Sequence, residues 1–483
     1  MSAMSRKAVD MWRRVGTRWL PFADAASEDL PLGRLLRLAL FQVPVGMALV
    51  LIMGTLNRVM IVELGVATWL VAAMISLPIL FAPLRMLIGH RSDTHVSVFG
   101  WRRSPYMWLG TMLQFGGYVI LPPSLLLLSG SGFVSAEAGA LAGKAGAAAA
   151  FALIGFGIHY TQTAGLALMS DLLPDAKRPR AFALFYLFQL CGMILSAFAF
   201  SWLLRDFTSE LLIRVLHGAG VVAVVINLIA IWQQEPRDKV RAAQVKDGEQ
   251  TRFAEQLAKL MGEAHMRRLL VGIGLGTMAF SMQDVLLEPY GGEVLGLSVP
   301  QTTMLSALMG IGTLAGFLLS IQTFSRGIHP CRLAVIGLLT GIPAFTAVLF
   351  AYPLESVVMF QAGSMIIGLG AGLFVVGSLS AAMRSAASDN TGLVAGAWGA
   401  IQATAAGIGI AAGGVLRDVM AGLAHSDALG TALNGPATSY GTVYLIEIFL
   451  LFTTLVAIGP LVRNAGNNDK RHNEQFGLAE LPG

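Results

Sequence analysis

Charge is what this sequence has least of. Only 13% of its 483 residues are Asp, Glu, Lys or Arg, about half the share of an ordinary soluble domain. That scarcity excludes a solvated globular protein, and nucleic acid is not an expected partner. Cysteine is nearly absent too: Cys191 and Cys331 both lie in or beside apolar runs. Without a C-x-x-C or C-x-x-C-H pattern, zinc, thioredoxin-like and c-type haem sites have no support. No nucleophile–base pair, phosphate loop or metal cluster emerges, and the glycine-rich runs lie inside apolar segments, so no enzyme is expected. Residues 1–34 are polar and basic without an early apolar core, which argues against a cleaved signal peptide.

Long apolar runs are abundant. Twelve of them reach the ~20 residues that cross about 30 Å of hydrocarbon as a helix: 38–60, 67–88, 106–129, 146–169, 181–203, 213–232, 269–288, 302–323, 332–351, 356–380, 392–414 and 441–462. The expectation is an all-α polytopic membrane protein with a lipid bilayer as its solvent. With the N-terminus inside, 28 of the 33 Lys and Arg fall in cytoplasmic segments; Arg58, Lys144, Arg205, Arg214 and Arg417 fall outside. That asymmetry predicts both termini in the cytoplasm. The longest polar break, 233–267, divides a bundle over 35–232 from one over 268–462, with a tail at 463–483. Phe253, Leu257, Leu260, Met261 and Ala264 give the break a short amphipathic helix. Trp12, Val15 and Trp19 give the N-terminal segment 1–34 another.

The halves echo each other. "GTLNRVMIVELGV" ends the first span and "FSMQDVLLEPYGGEVLGL" the seventh, aligning Asn57-Arg58 with Gln283-Asp284 and Glu63-Leu64-Gly65 with Glu293-Val294-Leu295-Gly296. Pro289 and Gly291-Gly292 are expected to stop the seventh span. After the second span, "GHRSDTHVSVFGWRR" carries Gly89, Asp93, Gly100, Arg102 and Arg103. It resembles the major facilitator loop signature, with four extra residues between Asp93 and Gly100 and Thr94 in place of a basic residue. A 6+6 chain with a parallel repeat is similar to a major-facilitator transporter.

"GFGIHYTQTAGLALMSDLLP" (155–174), the end of the seventh span, "GTLNRVMIVELGV" and "LPILFAPLRMLIGHRSD" together resemble the PucC/LhaA family of purple phototrophic bacteria. The likeness runs from about residue 20 to 462. "FADAASEDLPLGRLLRLALFQV" looks closer to the LhaA branch, which serves light-harvesting 1. The resemblance implies a non-enzymatic assembly factor in the bacterial inner, intracytoplasmic photosynthetic membrane. It implies bacteriochlorophyll as cargo. The implied partners are the light-harvesting 1 alpha and beta polypeptides, the reaction centre and bacteriochlorophyll-synthesis enzymes. The alternative is a proton-coupled facilitator transporter or exporter of a small hydrophobic molecule. The nearly uncharged spans suit an apolar cargo.

Within that frame His159, the one histidine well inside a span, is the first candidate to bind the pigment's magnesium axially, with Tyr160, Thr161, Gln162 and Thr163 bonding ring substituents. The alternative is an interhelical hydrogen bond. His217 is a weaker candidate, near the interface. Arg58 is expected to pair with Asp284 or Glu288 across the two halves, closing the outer side with Glu63 nearby. Snorkelling to the headgroups is the competing reading. Asp171 ends the fourth span either as an interfacial ion pair or as a latch. Glu447, deep in the twelfth span, either relays protons or faces a polar neighbour such as Gln361 or Gln402. Gly368-x-x-x-Gly372 and Gly409-x-x-x-Gly413 either pack helices or leave a flat groove.

Overall fold

The computed structural model describes residues 31–82, 88, 101–130, 136–174, 177–235, 264–384, 391–426, 430 and 433–475. The N-terminal amphipathic stretch to residue 30, the loop residues Gly89, Asp93 and Gly100, and the linker helix expected near Phe253 lie outside them. Twelve helices follow in order: α1 (Leu32–Glu63), α2 (Thr68–Leu80), α3 (Ser104–Leu128), α4 (Ala136–Leu172), α5 (Arg178–Leu203), α6 (Ser209–Ile231), α7 (Ala264–Glu293), α8 (Val299–Ser325), α9 (Pro330–Ala351), α10 (Val357–Arg384), α11 (Thr391–His425) and α12 (Pro436–Gln475). Eleven are long and apolar enough to cross a membrane; the shorter apolar α2 is the remaining one. Twelve alternating crossings put the start of α1 and the end of α12 at one end of the bundle, called here the termini end, with the α1–α2 turn at the far end.

Two of these helices are irregular, and they are the first of each half. α1 widens into π-helical turns at Val50–Leu56 and Val59–Glu63. α7 tightens into a 3-10 turn at Met282–Val285 and resumes at Leu287–Glu293. Both stop the same way: Gly65 (φ +62°) and Gly296 (φ +65°) take the left-handed conformation that ends a helix without a side-chain clash. The helix therefore runs through Pro289 and Gly291-Gly292, the expected stop, and ends at Glu293. Pro289 is the third residue of the resumed helix, just past the 3-10 turn.

Lipid offers helices little hydrophobic reason to associate, so close backbone approach at small residues holds them together. Gly110 and Gly157 seat α3 on α4, and Gly337 and Gly370 seat α9 on α10. Gly368 and Gly372 lie on Met309 and Thr313 of α8, while Gly409 and Gly413 lie on Met278 and Met282 of α7. Those faces are filled by neighbouring helices, so the groove reading of the two small-residue patterns does not hold. Between the halves, α1 meets α7 and α8, α2 meets α11, and α5 meets α8. α4 and α10 make no broad contact with each other among the described residues.

A side chain at Gly368 would collide with the Met309 backbone, whereas one at Gly116 meets nothing. Gly368→Val is expected to destabilise the protein by about 1–3 kcal/mol. Gly116→Val should leave the thermal midpoint in detergent unchanged, as read by scanning fluorimetry.

Candidate functional site

The polar groups of α1 and α7 converge where the two irregular helices touch. Pro289 has no N–H to give the carbonyl four residues back, so Val285 O is left without its helical donor. Asn57 supplies one from the other half: its Nδ2 donates to Val285 O at 2.9 Å and to Met53 O at 3.0 Å. Thr55 and Thr303 share a hydroxyl–hydroxyl bond at 3.1 Å beside it. Gly54 faces the Glu288 carboxyl, and Ser306 donates to Glu288 Oε1 at 2.6 Å.

Arg58 does not make the expected ion pair. Its Nη1 donates to Glu63 Oε1 at 2.6 Å, within α1, and its Nη2 to Leu297 O at 3.0 Å across the halves. The guanidinium lies over Gly292, where a side chain would displace it. Glu288 feels Arg58 only at longer range. The cross-half tie is thus made to a backbone carbonyl, and Asp284 is not part of it. Asp284 Oδ1 instead accepts from Gln283 Nε2.

Asp284 lines a cavity of about 150 Å³ within the second half, together with Thr277, Ser281 and Gln283 of α7, Thr313 of α8 and Gln402 of α11. The aromatic rings of Phe280 and Phe374 complete its apolar side. Glu447 lies behind it on α12, fully buried. It makes no hydrogen bond to Gln361 or Gln402, and Asp284 and the Gln283 backbone act on it electrostatically.

In the first half, His159 is buried and its Nε2 bonds to Pro78 O at 2.7 Å, tying α4 to α2. A magnesium ligand at Nε2 has to displace that bond. Tyr160 stacks on Tyr106 with ring centroids 6.4 Å apart. Thr161 accepts from Gln114 at 3.2 Å. Gln162 donates to Gln42 and to Gln189, joining α1, α4 and α5. Thr163 Oγ1 is buried without a hydrogen-bond partner. His217 faces outward, exposed on α6. The pigment candidates other than His217 therefore share one helix, and His159, Thr161 and Gln162 all bridge to neighbouring helices.

At the termini end, Asp171 pairs with Arg102 at 3.1 Å and Arg103 at 3.0 Å. Glu235, which the sequence reading passed over as linker, accepts the backbone N–H groups of Arg102, Arg103 and Ser104 at 2.7–3.1 Å. A carboxylate on those unpaired donors at the start of α3 is electrostatically favoured. Asp171 is thus an ion pair within the first half.

A second network at the far end was also missed. Arg417 pairs with Glu293 and with Asp418, and lies over the Tyr440 ring, 4.8 Å from its centroid. Tyr440 donates to Glu293 at 2.9 Å. Asp418 Oδ2 accepts the Trp69 N–H at 2.8 Å, at the start of α2. The signal was legible: an adjacent Arg-Asp in an otherwise apolar run, at the same end as Glu293. Toward the far end the halves are therefore tied by Asn57, Arg58 and Asp418, each bonded to the backbone of the other half.

Residues 55–466 match the family model described as "PUCC protein". A Rhodobacter capsulatus protein named for the puhA-bchM intergenic region and uncharacterised is 50% identical over 467 residues, covering 96% of this chain and 97% of its own. Protein PucC of Rhodovulum sulfidophilum is 51% identical over 423 residues, 87% and 92% of the two chains. Among solved structures, a bacterial homologue of the human lysosomal transporter Spinster, inward-facing and unoccupied, superposes with a TM-score of 0.64 at 15% identity. It covers 89% of this chain and 96% of its own. At that identity the likeness shows the fold alone: a major-facilitator-type bundle.

Asn57→Ala leaves Val285 O buried and unpaired, an expected cost of about 1–3 kcal/mol. Pro289→Ala restores the missing N–H, so the same change in that background should cost much less by thermal denaturation. In a second cycle, Arg58→Ala and Glu63→Ala should show coupling of about 1 kcal/mol, modest because Glu63 is 41% exposed. Arg58→Ala and Asp284→Ala should be additive.

Proposed function

The chain belongs to the PUCC family, and from that membership we propose that it is an assembly factor for a photosynthetic light-harvesting complex. In this reading it takes bacteriochlorophyll as cargo and passes it to antenna polypeptides inside the membrane, without chemical conversion. The client is light-harvesting 1, through its alpha and beta polypeptides, beside the reaction centre and bacteriochlorophyll-synthesis enzymes. The membrane is the bacterial inner membrane, with both termini in the cytoplasm and the far end on the outer side.

The observation that carries the reading is the distribution of charge on a facilitator-type frame. Among the described residues, the charged side chains lying away from the ends of the helices are few: they belong to the far-end networks or are Asp284, Glu288 and Glu447. α4 carries no charged residue between Lys144 and Asp171, and α10 none before Arg384. An inward-pointing charge marks the path of a polar solute; walls without one suit an apolar cargo with a few hydrogen-bonding substituents. With the far end tied shut, such a cargo enters between the helices or from the termini end.

Purification in mild detergent from bacteriochlorophyll-making cells tests this. Bacteriochlorophyll absorbance and light-harvesting 1 subunits co-eluting with the protein are expected; a colourless protein without antenna subunits overturns the reading. His159→Leu sorts the roles of that residue. As an interhelical bond, its loss costs stability, about 1–3 kcal/mol for the orphaned carbonyl, while pigment per folded protein stays constant. Loss of pigment at unchanged melting temperature would instead assign it to the magnesium.

A further inference from the structure

Three buried acceptors at the break in α7 lack a donor: Glu447 Oε1, Glu447 Oε2 and Gln283 Oε1. The Gln283 backbone acts on Glu447 electrostatically but makes no hydrogen bond to it. Glu447 is 0% exposed, in the middle of an apolar helix. An isolated carboxylate there has lost its water and gained nothing in return. α12 packs against the Met282–Val285 turn that carries Asp284, and Asp284 acts on Glu447 electrostatically. Two carboxylates facing each other in a low-dielectric interior do not both stay ionised. What the group lacks is a hydrogen, and a neutral carboxylic acid supplies one.

Access is asymmetric. Asp284 is half-buried and lines the cavity, whereas Glu447 is sealed behind it. The cavity's 150 Å³ is below the ~300–1,000 Å³ of small-molecule sites. It suits water-sized guests that ferry protons, not a macrocycle.

The surroundings contain no counter-cation at contact distance among the described residues. On α12 the titratable neighbours are Tyr444 and, further out, Tyr440; on α7 they are Tyr290 and Glu288, the latter held by Ser306. Arg58 of α1 lies beyond Glu288 and is taken by Glu63. The charged groups of α9 and α10, Arg332 and Arg384, are near the ends of their helices, and those of α11, Arg417 and Asp418, belong to the far-end network. α8 contributes only neutral Ser306 and Thr313.

We propose that Asp284 and Glu447 form a proton-binding pair, entered from the cavity and tied through the break in α7 to the contact between the halves. The pair holds one proton and one negative charge, or two protons and none. The tie is short: Asp284 and Val285 are adjacent, and Val285 O is the acceptor of the Asn57 bond from the first half. A change of charge on Asp284 therefore acts directly beside the bond that closes the far end. The inference is independent of whether the cargo is pigment.

Infrared difference spectra of the full-length protein in lipid, taken between about pH 5 and about pH 10, read the protonated carboxyl directly. A carboxylic-acid carbonyl band is expected to titrate and to be lost in Glu447→Gln. Spin labels at the exposed Asp206 and Glu355, in opposite halves, with Cys191 and Cys331 replaced by Ser, read the separation at the far end. That distance should shift with pH in the native chain and stop shifting in Glu447→Gln. If Glu447→Gln does not fold, Asp284→Asn carries the same test, because it faces a cavity and keeps the side-chain shape. A band unchanged in the variant, or a distance indifferent to pH in the native chain, overturns the proposal. So does removal of the band by sodium at constant pH, which would make the pair a cation site.

Discussion

A proline without an N–H sets the terms of this structure. In hydrocarbon an unpaired backbone carbonyl costs several kcal/mol, and Pro289 leaves one at Val285. The chain meets that demand from outside the helix and outside the half, with the side chain of Asn57. The defect in α7 has thus become a specific point of attachment between the bundles. Arg58 repeats the device against Leu297 O and Asp418 against the Trp69 N–H. These three links between the halves are side chain to backbone, which fixes position without burying two opposite charges together.

The other consequence is spatial. Because α1 and α7 are irregular in the same region, their polar side chains turn toward the seam rather than toward lipid. Glu288 finds Ser306, Arg58 finds Glu63, and Asp284 is left facing the cavity. Glycine makes the arrangement possible: Gly54 opens space for the Glu288 carboxyl and Gly292 for the Arg58 guanidinium. Gly368 and Gly372 of α10 and Gly409 and Gly413 of α11 serve the frame, holding α8 and α7 close.

Much of this was legible in the residues. Apolar length gave twelve spans, and the echo of Asn57-Arg58 and Gly65 in Gln283-Asp284 and Gly296 pointed to the two helices that meet. The partner of Arg58 was not legible, for a geometric reason. Residues three or four apart share a face of an α-helix, so Glu63, five away, was placed near Arg58 but not paired with it. A π turn closes at five, and α1 is π-helical from Val59 to Glu63. The Asn57 bond was hidden because its acceptor is backbone, which no pattern of side chains announces. Glu235 was hidden by its setting in a polar break that reads as linker, although it caps the start of α3.

The π turns of α1 also bear on how this helix tolerates changes of length. A π turn holds one residue more than the α turn it replaces. Removing one residue between Val50 and Leu56 can be absorbed by tightening that stretch to α geometry, leaving Asn57 and Arg58 on the face they now occupy. The same deletion in the regular helix of α8 would turn everything beyond it by about 100° and separate Ser306 from Glu288. α1 is thus the span in which a single-codon deletion is least disruptive, although it carries the contacts on which closure depends.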